Sequence, residues 1–200
     1  MNKIQKLIWQ LALPYQDARD DDGHGKIVTE FAARLSKIEN TNDDIVIPAA
    51  ILHDIGWSQL SKKERMLIFD KSNPEQDRLK ARFKHQKEGV KLAREILEKV
   101  KYPKKLIKAI LEIISEHDTR DGFISDDEAT MRDADKLSRF SKIGFWDDVR
   151  QSKITAEYYY SYLKEKINTP NFLYFQSSKK IALEELQKRK REIDTRSITS

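Results

Sequence analysis

Apolar residues recur at helical spacing along almost the whole chain, and this repeat constrains the fold more than any other feature. Residues 3–13, for example, carry apolar side chains at positions i, i+3, i+4 and i+7, which form one face of a helix. No segment shows the sustained alternation of a half-buried strand, and six Gly and five Pro leave little material for turns. The sequence therefore predicts an all-α fold. We predict helices over residues 3–13, 25–38, 43–55, 75–99, 104–117, 125–141, 152–167 and 178–193.

The length and the charge distribution indicate one helical domain with a C-terminal extension. A chain of 200 residues is enough for a single domain. Its net charge of +5 is concentrated near one end, because residues 151–200 hold ten Lys and Arg against six Asp and Glu. We predict a helical bundle over residues 1–150 and a helical extension packed on it over residues 151–200. Four Tyr fall within residues 158–162, and the sequence leaves open whether they form core, a lid or a homodimer interface.

The composition excludes several kinds of site and location. The absence of Cys excludes disulfides, thiolate-ligated zinc, iron–sulfur clusters and a Cys nucleophile. The longest apolar run, residues 45–52, is far shorter than the ~20 residues needed to cross a bilayer. The first residues lack the pattern of a secretory signal, so we expect a cytoplasmic protein with no membrane partner. Acidic residues stand on both sides of the basic run 188–191, which favours a solvated helix face over a nucleic-acid site.

The four His of the chain fall at the inner faces or ends of predicted helices, and two Asp occupy comparable places. A single buried His is ordinarily a hydrogen-bonded core residue, but burying several titratable groups together is costly unless they are paired or bind metal. Imidazoles and carboxylates around one centre are what a first-row divalent ion prefers. An excess of acidic residues over residues 116–135 also favours a cation site or its rim. The candidate ligands are His24, His53, Asp54, His85, His117 and Asp135.

The sequence around these residues carries a family resemblance. The strings are AAILHDIGW around His53, HQKEGVKLAREIL from His85, AILEIISEHD up to His117 and its neighbour, and MRDADKLSRF around Asp135. Their order, together with His24, resembles the HD-domain superfamily of metal-dependent phosphohydrolases over about residues 20–145. The AAILHDIG and DADKL strings are similar to those of small, stand-alone bacterial HD hydrolases. The resemblance implies that residues 1–150 form an HD metal-binding helical domain.

The resemblance also implies a role for each candidate ligand. The positions of the family's shared one-metal site are His24, His53, Asp54 and Asp135. His85 and His117 match two further His of members that hold a second metal, where Asp54 would bridge the ions. In one-metal members these two His instead contact phosphate or help proton transfer. Of the two Asp in DADKL, Asp135 rather than Asp133 matches the ligand position. The expected cofactor is one or two divalent ions per chain, drawn from Mn, Fe, Mg, Ni and Zn.

The implied function is hydrolysis of a phosphate ester or anhydride, in a small substrate such as a nucleotide, through metal-activated water. Asp54, His85 and His117 would be catalytic. Lys136 and Arg139, which follow the last ligand on its predicted helix, would bind the substrate phosphate. The residue after HDIG is a Trp, where the cyclic-dinucleotide branch has Lys and the 5′-nucleotidase branch has Glu, so neither substrate class is assigned. Two alternatives remain open: an HD-type di-iron oxygenase, and a catalytically silent metal-binding helical module.

Overall fold

The computed structural model describes residues 1–19, 21, 23–68 and 72–198. Within these residues the backbone forms ten α-helices and two short 3₁₀ helices and no strand, so the predicted all-α fold is confirmed. None of the helices described is both long enough and apolar enough to span a membrane. The 3₁₀ helices are Leu13–Tyr15 and Ile55–Gln59. The α-helices are α1 (Lys3–Ala12), α2 (His24–Glu39), α3 (Asp43–Leu52), α4 (Lys62–Met66), α5 (Glu75–Lys99), α6 (Lys104–Glu116), α7 (Asp126–Ser138), α8 (Lys142–Ser152), α9 (Ala156–Ile167) and α10 (Gln176–Ile198).

The helix predicted over residues 125–141 is wrong at its C-terminal end. It stops at Ser138, and a separate helix, α8, follows that the sequence did not predict. Ser141 starts this new helix, because its hydroxyl accepts a hydrogen bond from the backbone N of Gly144 at 3.0 Å. A polar residue that caps the next helix thus interrupts an apolar pattern that looks continuous in the sequence.

Other boundaries also differ from the prediction, and the last helix, predicted over residues 178–193, extends over Gln176–Ile198. The helix predicted over residues 43–55 ends at Leu52, and a 3₁₀ helix follows it after two residues. The helix predicted to begin at residue 152 begins at Ala156, because Thr155 caps it by accepting a hydrogen bond from the backbone N of Tyr158 at 3.2 Å.

Pro48 lies inside α3, and a distant side chain compensates for the backbone donor that it lacks. In a regular helix the amide of residue 48 would donate to the carbonyl of Asp44. That carbonyl instead accepts a hydrogen bond from the hydroxyl of Tyr102 at 2.8 Å. The helix therefore continues through the proline without leaving this acceptor unpaired.

One hydrophobic core joins the N-terminal helices to the C-terminal ones. Ile8 of α1, Leu52 of α3 and Ile114 of α6 belong to the same buried cluster as Ile181 and Ile193 of α10. The boundary that we predict at residue 150 lies within α8. The C-terminal helices thus share the core of the preceding bundle.

Two glycines allow the 3₁₀ helix Ile55–Gln59 to approach α5 closely. A Cβ added at Gly56 would lie 1.9 Å from the carbonyl oxygen of His85 and 2.4 Å from the backbone N of Gly89. Only a residue without a side chain fits at Gly56. The contact places the turn after α3 directly against the part of α5 that carries His85.

Candidate metal centre

Six side chains from separate parts of the chain meet at one end of these helices. They are His24 at the start of α2, His53 and Asp54 after α3, His85 within α5, His117 after α6 and Asp135 within α7. Gly23 turns the chain into α2 with a φ of 83°, which only glycine adopts readily. The structure therefore brings together all six residues that the sequence analysis selected as metal ligands.

The first donor group consists of His24, His53 and Asp135. Nε2 of His24 lies 3.3 Å from Nε2 of His53 and 3.3 Å from Oδ1 of Asp135, and Nε2 of His53 lies 3.6 Å from that same oxygen. Asp54 adds its Oδ2, which is 3.4 Å from Nε2 of His24 and 3.6 Å from Nε2 of His53. Two imidazoles and two carboxylates thus converge, as a divalent ion requires.

The second donor group consists of Asp54, His85 and His117. Nε2 of His85 lies 3.4 Å from Nε2 of His117, and Oδ1 of Asp54 lies 3.6 Å and 3.4 Å from these two nitrogens. Because Oδ1 faces this group and Oδ2 faces the first, Asp54 is common to both. Trp57 stacks on His85 with ring centroids 3.9 Å apart and donates from Nε1 to Oδ1 of Asp54 at 3.1 Å.

Backbone carbonyls orient two of the His rings. Nδ1 of His53 lies 2.9 Å from the carbonyl oxygen of Ala50, and Nδ1 of His117 lies 2.9 Å from that of Ile114. A carbonyl only accepts, so each Nδ1 carries the proton of its hydrogen bond. In the neutral ring the lone pair of each Nε2 is then available for a metal ion. The donor atoms of the cluster therefore fit a divalent cation, and for His53 and His117 the tautomer fits as well.

The carboxylates give the site an electrostatic preference for positive charge. Burial alone would lower the pKa of His24, but Asp135 and Asp54 outweigh it and raise this pKa to about 10. Burial is likewise outweighed at His117, where Asp118 and Asp54 raise the pKa to about 9. Burial would raise the pKa values of Asp54 and Asp135, but their positive neighbours hold both well below the usual value. The same field that retains protons on these imidazoles would favour a divalent ion.

Sequence reasoning missed three charged residues at the centre: Arg19, Asp21 and Asp118. Asp21 forms, with His24 and Asp54, a further group that could hold a metal ion. Arg19 donates from Nη2 to Oδ2 of Asp54 at 2.5 Å, and no motif in the sequence points to it. Asp118 lies next to the second donor group, with its Oδ2 3.6 Å from Nε2 of His85 and 4.0 Å from Nε2 of His117. A signal for Asp118 did exist, because it forms a second His-Asp doublet that, like the first, directly follows a helix.

Three residues of the donor groups, His24, Asp54 and Asp135, face a cavity of about 910 Å³, and the second donor group reaches it through Asp54. The lining of the cavity includes His24, Asp54, Asp118 and Asp135 on the side of the donor groups, and residues of α8 and α9 elsewhere. Three of the clustered tyrosines take part in this lining: Tyr158, Tyr159 and Tyr162. Tyr159 is buried, and its hydroxyl donates to Asp148, whereas Tyr158 is largely exposed. The C-terminal extension therefore helps to build the cavity.

The helical periodicity of α7 and of its C-terminal end directs the two residues predicted to bind the substrate phosphate, Lys136 and Arg139, to different faces. Arg139 lies one turn after Asp135 and lines the cavity. Asp133 faces the segment before α10 and accepts hydrogen bonds from two backbone amides there, at 2.9 and 3.0 Å. Lys136, one turn after Asp133, donates from Nζ to the carbonyl of Asn171 in that segment at 3.3 Å. The structure thus places Arg139 in the cavity and Lys136 outside its described lining.

The fold and the converging donors define an all-α protein with a cluster of His and Asp that could hold a metal ion. A family model described as HD domain matches residues 22–139, which is more than half of the chain. The chain belongs to the HD-domain family, a family composed generally of hydrolases, so the resemblance found in the sequence is confirmed. Comparison with curated proteins gives no match, and comparison with solved structures gives none either.

Proposed function

We propose that the protein is a metal-dependent phosphohydrolase that cleaves a phosphate ester or anhydride of a nucleotide. The observation that carries the proposal is the arrangement of two donor groups that share Asp54 and face a cavity lined by arginines. A divalent ion held there lowers the pKa of a bound water and polarises a phosphoryl oxygen. One ion position is assigned to His24, His53 and Asp135, and the other to Asp54, His85 and His117.

The protein's own residues hold Asp54 in the orientation that this role requires. Trp57 donates to its Oδ1 and Arg19 donates to its Oδ2, so each oxygen is directed towards a different donor group. Such hydrogen bonds to ligating carboxylates support metal affinity and activity in known metal sites. In this proposal Asp54, His85 and His117 take part directly in the reaction, since they are the donors of the second position.

Arg139 is the residue to which we assign the scissile phosphate. It lines the cavity one turn from Asp135. Burial would lower its pKa, but the nearby carboxylates, Asp148 first, raise this pKa and so keep the group positively charged. A guanidinium can form two parallel hydrogen bonds to phosphate oxygens, and it stabilises the charge that develops on them.

The aromatic part of the cavity supports a nucleotide as the substrate class. Tyr159 and Tyr162 lie with nearly parallel rings, with centroids 6.0 Å apart, and Tyr158 lies beside them on α9. The outer face of such a stacked pair, where it lines the cavity, can stack on the flat ring of a base. A volume of about 910 Å³ also lies within the usual range of pockets for ligands of this size.

A di-iron oxygenase would use the same six ligands, and the lining of the cavity is the observation that supports hydrolysis over it. Arg78, Arg82 and Arg139 line the cavity without an ion pair among the described residues, which favours a substrate with phosphate groups. Oxygen consumption by the iron-loaded protein, without phosphate release from any substrate, would support the oxygenase instead.

The test is phosphate release from a panel of nucleotides by protein loaded in turn with Mn, Fe, Mg, Ni or Zn. We expect activity with at least one of these ions and its loss in Asp54→Asn. The matched control is Asp126→Asn, an exposed carboxylate on α7, which should keep full activity. Absence of phosphate release with every ion would refute the proposal.

A further inference from the structure

Helix α5 carries two arginines on the same face as His85. Arg78, Arg82 and His85 occupy positions i, i+4 and i+7, which fall on one stripe of a helix. Both arginines line the cavity. With a rise of 1.5 Å per residue, Arg82 lies about 4.5 Å and Arg78 about 10.5 Å along the helix axis from His85. The two guanidinium groups therefore follow one another away from the metal centre.

Neither arginine forms an ion pair within the part of the chain that the structure describes. Against the effect of burial, the charge of Arg82 nevertheless helps to lower the pKa of Asp118 across the cavity. No carboxylate there lies within 4 Å of either guanidinium, whereas Arg19 is paired with Asp21 at 2.8 Å and Arg150 with Asp147 at 2.8 Å. Nε of Arg78 is buried and has no hydrogen-bond partner among the described residues. A buried donor without a partner costs free energy, which an anionic ligand would recover.

Arg82 and Arg78 lie on a different helix from Arg139. Arg139 follows α7, beside the ligand Asp135, whereas Arg82 and Arg78 extend from His85 along α5. A single phosphate held at the metal centre would be within reach of Arg139. It would leave the more distant of the two α5 arginines without an anion. The spacing along α5 therefore fits a second anionic group that is linked to the first.

We propose that Arg82 and Arg78 bind a second phosphate of the substrate, so that the enzyme acts on compounds with at least two linked phosphates, such as nucleoside di- and triphosphates, in preference to monophosphates. The part of this inference that concerns a substrate rests on the proposed phosphohydrolase function. The binding subsite itself is a property of the arginines, and it can be measured without any turnover.

The experiment compares two phosphonate ligands that cannot be hydrolysed at a phosphate ester or anhydride. Methylenediphosphonate carries two linked phosphonates and methylphosphonate carries one. Their dissociation constants are measured by calorimetry on manganese-loaded wild-type protein, on Arg78→Ala, on Arg82→Ala and on a control, Arg94→Ala. Arg94 lies on the same helix, is exposed and does not line the cavity. Circular dichroism and metal content establish that each variant is folded and loaded.

We expect Arg82→Ala and Arg78→Ala each to raise the dissociation constant of methylenediphosphonate about tenfold, which corresponds to about 1.4 kcal/mol of binding free energy. In these two variants the dissociation constant of methylphosphonate should change by less than about twofold. Arg94→Ala should leave the dissociation constants of both ligands unchanged. Equal weakening of both ligands would overturn the inference, because the arginines would then hold the first phosphate. Unchanged binding of methylenediphosphonate would overturn it as well. If the variants selectively weaken the binding of methylenediphosphonate but the protein hydrolyses no substrate, the subsite is supported and only the proposed function is refuted.

Discussion

Replacing Gly56 by Ala should displace His85 from the metal centre, although Gly56 is not itself a ligand. The new Cβ would lie 1.9 Å from the carbonyl oxygen of His85 and within 2.8 Å of two backbone atoms of Gly89. All of these atoms belong to the backbone of α5, so no side chain can rotate away to make room. Either the 3₁₀ helix or α5 must move.

The expected cost follows from the depth of this overlap. Overpacking a buried contact typically costs 1–3 kcal/mol, and a clash with backbone atoms lies at the upper end, about 3 kcal/mol. For a chain of this size that corresponds to a fall of roughly 6–12 °C in the melting temperature. The movement would also separate Trp57 from His85, whose rings are stacked, and so weaken the second donor group.

Gly89→Ala is the matched control, because it adds the same atom on the other side of the contact. Its new Cβ would meet its nearest neighbour, the backbone N of Gly56, at 3.5 Å, which is an ordinary contact. Gly89 lies inside α5, where Ala is favoured over Gly by about 1 kcal/mol. We therefore expect Gly89→Ala to be as stable as the wild type or more stable.

The assay is thermal unfolding of the metal-free proteins by circular dichroism, followed by calorimetric titration with manganese. Gly56→Ala should melt at a lower temperature and bind metal more weakly, and Gly89→Ala should do neither. The reasoning is refuted if Gly56→Ala unfolds and binds metal like the wild type. It is also refuted if the two variants lose equal stability.

Two further predictions concern residues outside the donor groups. Burial, together with the charge of Asp44, raises the pKa of Tyr102 to about 12. The un-ionised hydroxyl therefore contributes fully to stability below the unfolded-state pKa of about 10, and this contribution is lost as the pH rises towards 12. Tyr102→Phe should lower the free energy of unfolding by about 1 kcal/mol at pH 7. Above about pH 10 the free energy of unfolding of the variant should fall less steeply with pH than that of the wild type. Asp133→Ala should destabilise the protein by about 2–4 kcal/mol, because two backbone amides lose their acceptor, yet metal analysis should show unchanged metal content.

Helical periodicity was enough to predict the fold class, and the positions of His and Asp together with the HD-domain resemblance predicted the convergence of the six candidate ligands. The repeat places His24, His85 and Asp135 on inner helix faces, and the doublet at His53 follows the most apolar helix. What the pattern missed are the breaks between helices. Ser138 and Ser141 lie in a pattern that reads as continuous, and only the capping hydrogen bond reveals where α8 begins.

The charged residues around the ligands were harder to predict, because their roles depend on which face of a helix they occupy. Lys136 is adjacent to Asp135 in sequence but shares the face of Asp133, whereas Arg139 shares the face of Asp135. Arg78 and Arg82 stand among many charged residues of α5, and nothing in the sequence distinguishes them from solvated side chains. Only the cavity shows which of them face the metal centre.

Metal content is the most direct test of the central claim that six residues form one centre with two cation positions. Elemental analysis of protein loaded with manganese and then desalted should find two ions per wild-type chain and two in Asp126→Asn. Asp54→Ala should lose metal from both positions, because this residue is shared by the two donor groups. One ion per wild-type chain would contradict the position at His85 and His117. No bound ion, with manganese or with any of iron, nickel, magnesium and zinc, would contradict the whole account.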